Sequence, residues 1–167
     1  MCANCHVVDL QVEIKDLQAL KLCCEKLGWT FCEGQKTYAW WGHWVDDSPI
    51  PTHVFSEEEV AKLKAMPKYQ RQAYLTQKLG HCQHAIKVPG SSYEIGVVEH
   101  QGQYKLVWDW AGGNLAQDQC ATVPQTYGVC LAELTAQRQG QAYNTTYDEN
   151  GNATVTIQIN ETQSYGY

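Results

Sequence analysis

Tyr93–Trp110, YEIGVVEHQGQYKLVWDW, constrains the fold of this 167-residue chain more than any other stretch. Tyr93, Ile95 and Val97 alternate with Glu94, Gly96 and Val98. After Gln101-Gly102, Tyr104, Leu106, Trp108 and Trp110 alternate with Lys105, Val107 and Asp109. Neighbouring side chains on a strand point to opposite faces, so period two on both sides of a short Gly-containing turn predicts a β-hairpin. One face of its sheet is rich in aromatic rings. The other carries Glu94, Glu99 and Asp109, which are expected to face water or to form a small carboxylate cluster.

The remaining elements follow from similar local signals. Val8, Leu10, Val12 and Ile14 alternate with polar residues and predict a first strand. Asp16 can cap a helix that Gly28 ends, with Leu17, Leu20, Cys24 and Leu27 on its inner stripe. Trp29 to Cys32 reads as a strand, Glu33-Gly34 as a turn and Lys36 to Trp41 as the returning strand. Ser56 to Glu59 is a capping box, S-x-x-E, opening a helix that should break near Pro67. A second helical piece, Lys68 to Leu79, ends at Gly80. Ala85 to Val88 resumes the sheet. Pro124 suits the first turn of a helix whose inner stripe is Tyr127, Leu131 and Leu134. Tyr143–Tyr147 and Ala153–Ile159 flank Asn150-Gly151, a second hairpin turn. The layout predicts an α+β fold: an antiparallel sheet with helices packed mainly on one face, ferredoxin-like in character. Residues 1–160 read as a single domain with a helical insertion near 44–80, and 161–167 as a polar, mobile tail.

Charge excludes some functions. Eighteen acidic residues against 12 basic give a net charge of −6, with no basic footprint for a nucleic-acid backbone or an anionic membrane. No apolar run approaches the roughly 18 residues that span a bilayer, and no basic-then-apolar export signal opens the chain. The expected location is the cytoplasm. Eight cysteines there are expected to stay mostly free thiols.

Two constellations could hold a metal. Cys2-Ala3-Asn4-Cys5-His6 spells C-x-x-C-H, the c-type haem attachment pattern, but haem attachment is expected in an export compartment, no export signal precedes the motif, and its His leads directly into the predicted first strand. The same two thiols could form half of a zinc site, with His81, Cys82 and His84 as the other half. Zinc fits this residue set better than haem, and the default is no cofactor. No nucleophile elbow, H-E-x-x-H motif, Walker loop or G-x-G-x-x-G motif is present, so no catalytic residues are nominated. The remaining candidate is Trp40-Trp41-Gly42-His43-Trp44. Three tryptophans within five residues cannot all point inward from one strand, so at least one should be available for contact.

Ala85-Ile86-Lys87-Val88, Gly90, Tyr93-Glu94-Ile95-Gly96 and Tyr104-Lys105-Leu106-Val107-Trp108-Asp109-Trp110 resemble the centre of the plastid hypothetical-reading-frame-thirty-five family. These are small proteins of unknown function from algal plastids and cyanobacteria, with relatives in bacteria and tailed phages. Cys5-His6, the Val7–Ile14 strand and the Asp16–Leu20 helix start are similar to the family's opening, and Tyr127–Ile159 to its close. Trp44–Leu79 is longer than in plastid members, as in phage-like relatives. The resemblance implies a cytosolic α+β protein, often encoded beside an AAA-type ATPase, and supplies no catalytic residues.

The leading expectation is therefore a non-enzymatic binding or adaptor domain. Trp40, Trp41, His43 and Trp44 would form the contact surface, and the partner would be a protein or a second copy. One alternative is a metal-binding protein using Cys2, Cys5, His6, His81, Cys82 and His84. Another is a phage-borne protein that sequesters a nucleotide by stacking.

Overall fold

The computed structural model describes residues 12–45, 49–51, 54–109 and 120–159, and the backbone of 7–9. Cys2, Cys5, His6, Trp110 and the 161–167 tail lie outside the described residues.

Strands β1 (Val7–Asp9), β2 (Thr30–Cys32), β3 (His84–Lys87), β4 (Glu94–His100) and β5 (Gln103–Asp109) form one sheet in the order β1-β5-β4-β3-β2. Every neighbouring pair is antiparallel. Helices α1 (Leu17–Leu27), α2 (Glu57–Ala65), α3 (Lys68–Lys78) and α4 (Val123–Arg138) complete an α+β fold with a separate hairpin, β6 (Ala142–Tyr147) and β7 (Ala153–Gln158). Four consecutive sheet strands follow α1, with α2 and α3 inserted after the first of them. This is not the β-α-β-β-α-β order that a ferredoxin-like arrangement requires.

Local chemistry explains the element ends. The Asp16 side chain accepts the Ala19 N–H at 3.0 Å, and Gly28 closes α1 with a left-handed φ of 72°. At α2, Ser56 and Glu59 exchange both bonds of a capping box. Pro67 separates α2 from α3, as its missing N–H dictates. The β4–β5 turn places Gln101 and Gly102 at φ 51° and 78°, the two positive values that a type I′ turn needs.

The sheet is covered on both faces. Ile86, Ile95, Val97, Leu106 and Trp108 meet Leu20, Cys23 and Cys24 of α1 and Tyr127, Cys130 and Leu134 of α4. This is the aromatic face, and α1 and α4 pack there as expected. On the other face, Ala85 and Val107 meet Tyr38, Trp44, Phe55, Leu63, Leu75 and Leu79. The insertion is thus a second layer with its own core. Each fully buried Leu or Ile contributes on the order of 1.5–3 kcal/mol, so both layers matter to stability.

Two polar links fasten the outer elements. The Tyr127 hydroxyl accepts the N–H groups of Lys15 at 3.2 Å and Asp16 at 3.1 Å, joining α4 to the start of α1. Tyr127→Phe is expected to lower stability by about 1–2 kcal/mol in urea unfolding, because two backbone donors lose their acceptor. Glu133 of α4 pairs with Lys26 of α1 at 2.8 Å and accepts the Thr145 hydroxyl of β6 at 2.6 Å.

Candidate contact site

Lys36–Trp41 does not form the strand expected to return after the Glu33-Gly34 turn; only Thr37 makes an isolated bridge, to His81. Residues 35–44 are instead irregular. They form a strap across the insertion-covered face. Glu94 holds one end: its Oε2 accepts Gln35 Nε2 at 2.8 Å and the Ala39 N–H at 2.9 Å, while the Glu94 N–H donates to Ala39 O at 2.9 Å. The Tyr38 N–H donates to Gly80 O at 3.0 Å, and the Cys82 N–H to Lys36 O at 2.9 Å. Side-chain carboxylates and single backbone bonds thus replace a ladder.

Two glycines make room for the rings of the strap. A Cβ at Gly96 would run into the Tyr38 ring, and one at Gly80 into the Trp40 indole. Burial pushes the Tyr38 hydroxyl above the usual tyrosine range. A Gly80 backbone hydrogen bond opposes this, and Cys82 and Asp109 add to it.

The strap ends on Asp109, which is 0% exposed and whose Oδ2 accepts the Trp41 N–H at 2.9 Å. The expectation that Asp109 faces water fails because residues 54–79 cover that face. Glu94 is half-buried and Glu99 exposed, so the three carboxylates have three different environments. The Trp44 N–H donates to the Thr76 hydroxyl at 2.9 Å. Along the strap the side chains diverge. Trp44 is 3% exposed and Trp40 is half-buried, whereas Trp41 is 42% exposed. His43 is exposed, its ring 5.6 Å from that of Trp41 in an edge-on arrangement of 75°. Of Trp40, Trp41, His43 and Trp44, then, Trp41 and His43 form the outward surface. Trp40 and Trp44 belong to the packing beneath it.

His81, Cys82 and His84 are separated. Cys82 is buried in the insertion-side cluster, and its thiol donates to Gln35 O at 3.3 Å. The exposed His81 lies 3.3 Å from Gln77 O through Nε2. His84 sits between the rings of Phe31 and Tyr104, and its Nδ1 accepts the Gly34 N–H at 2.9 Å. Burial lowers the His84 pKa. Among the described residues no three His, Cys, Asp or Glu side chains gather in a way that could hold a metal ion. Cys2, Cys5 and His6 lie outside those residues.

The described cysteines are free thiols. Burial pushes Cys23 and Cys24 up to about 12 and Cys82 and Cys120 up to about 11, so none of these four is a nucleophile at neutral pH. Their reaction with a thiol reagent in native buffer should be slow and should follow global unfolding, while the partly exposed Cys32 reacts without it. Counting labelled cysteines by mass spectrometry against urea concentration checks this.

The sequence signalled the exposed tryptophan but gave no direct sign of its anchor. The one usable hint was that Val98 and Val107 share a face with Asp109, and apolar residues on both faces indicate a doubly covered sheet. The chain matches no family model, no curated protein and no solved structure.

Proposed function

We propose that this chain is a non-enzymatic binding module that presents Trp41 and His43 to a protein partner. The observation that carries this reading is that Trp41 is 42% exposed although its backbone is bonded to a fully buried carboxylate. An exposed indole on a pinned backbone costs little further conformational entropy when it is covered. This is the economy seen in tryptophan anchors at interfaces. The acidic chain surface favours a partner with a neutral or basic contact face.

The test compares wild-type chain with Trp41→Ala as affinity baits in extracts of the native source cells, followed by direct binding measurements on the captured protein. Truncating an anchor tryptophan is expected to cost about 2 kcal/mol or more, roughly 30-fold in affinity. The melting temperature should stay within the range of a surface substitution. Equal binding by both baits would remove Trp41 from the contact and end this reading.

A further inference from the structure

The C-terminal hairpin differs from the main sheet in how its edges are finished. On one side the main sheet ends on β2, a strand of three residues, and short edge strands are one of the devices that discourage edge-to-edge pairing. β6 and β7 have six residues each, pair in unbroken register from Ala142↔Gln158 to Tyr147↔Ala153, and contain no charged residue, no histidine and no proline. Within the two strands, then, neither a charge, nor a proline, nor a break in register guards the edge. One face of the ribbon is half-buried through Thr145, Val155 and Ile157. The other is an exposed polar ladder of Asn144, Thr146, Thr154, Thr156 and Gln158.

The turn fixes which backbone groups face outward. The Asp148 N–H donates to Asn152 O at 3.0 Å, so Asp148 and Asn152 form a bonded pair, and alternation makes Thr146↔Thr154 and Asn144↔Thr156 the next bonded pairs. The N–H and C=O groups of Ala153, Val155 and Ile157 therefore point away from β6. The same outward edge continues to Ile159, which is 75% exposed, one of the few large apolar side chains so placed among the described residues.

We infer that the outer edge of β7 pairs antiparallel with β7 of a second copy of this chain about a two-fold axis at Val155. This register is self-complementary. Val155 meets Val155 of the second copy, and Ala153 meets Ile157, giving matched apolar contacts on the half-buried face. Thr154 meets Thr156 on the exposed face, a favourable cross-strand pair, and no charge opposes a like charge. Two ribbons become one four-stranded sheet, and the contact is isologous, as a closed dimer requires.

The register provides its own test. Thr154 and Thr156 are exposed in the single chain, so T154K/T156K and T154E/T156E should fold with unchanged circular dichroism and melting of the separated chain. Sedimentation equilibrium of the full-length wild-type chain is expected to give twice the monomer mass. Each double variant alone should give the monomer mass, since like charges then face each other across the axis. An equimolar mixture should return to the doubled mass as a heterodimer, because each lysine then faces a glutamate. A monomeric wild type would overturn the inference. So would double variants that remain dimeric alone, or a mixture that fails to recover the doubled mass. None of these readings depends on Trp41.

Discussion

Gly96→Val should lower stability by about 3 kcal/mol, toward the upper end of what overpacking a closed core costs. Gly96 lies between Ala85 and Val107 in the sheet, and the Tyr38 ring rests directly on it. Any Cβ at this position enters that ring. Tyr38 is 4% exposed and its N–H is bonded to Gly80 O, so the ring cannot turn aside without opening the insertion-side cluster. The loss should come from this one collision, since the Gly96 backbone is not left-handed. Tyr38→Ala is destabilising on its own, yet the double variant should cost less than the sum of the two, because the collision then has no partner. Denaturant unfolding of the four chains measures the coupling. A Gly96→Val cost within about 0.5 kcal/mol, the range of an ordinary surface substitution, would mean that Tyr38 does not rest there.

Asp109→Ala is the second large effect, at about 1–3 kcal/mol, the cost of taking the acceptor from a partly buried donor. Its consequence is also local. Without the carboxylate the Trp41 N–H has lost its anchor, and the strap from Trp41 to Trp44 is then held at its far end by Thr76. Amide hydrogen exchange should show protection at Trp41 falling far more than protection in β4. Asp109→Asn keeps an acceptor oxygen and should restore most of that protection. If exchange at Trp41 is the same in wild type and Asp109→Ala, the anchor described here is wrong, and so is the pinned surface built upon it.

The hairpin of β4 and β5, the caps at Asp16 and Ser56 and the break at Pro67 were all legible in the sequence, because each rests on residues a few positions apart. The strap was not. Lys36–Trp41 has the alternation of a strand, but its hydrogen bonds go to Glu94, Gly80 and Asp109, some 40 to 70 positions further on. Nothing local distinguishes the two outcomes. Asp109 was misread for the same reason: its burial depends on residues 54–79 folding back over the sheet. The tryptophan surface was legible in part. Three indoles within five positions suggested that one lies outside, but that reading presumed a strand, and only the packing of Trp40 over Gly80 and of Trp44 into the insertion shows that it is Trp41.

Glu133 has a mechanical consequence. One carboxylate grips Lys26 of the first helix and Thr145 of the C-terminal ribbon at once, across more than a hundred positions of chain. The ribbon is therefore fastened to the first helix as well as to the helix that precedes it in the chain, so a pull on it is shared between the two.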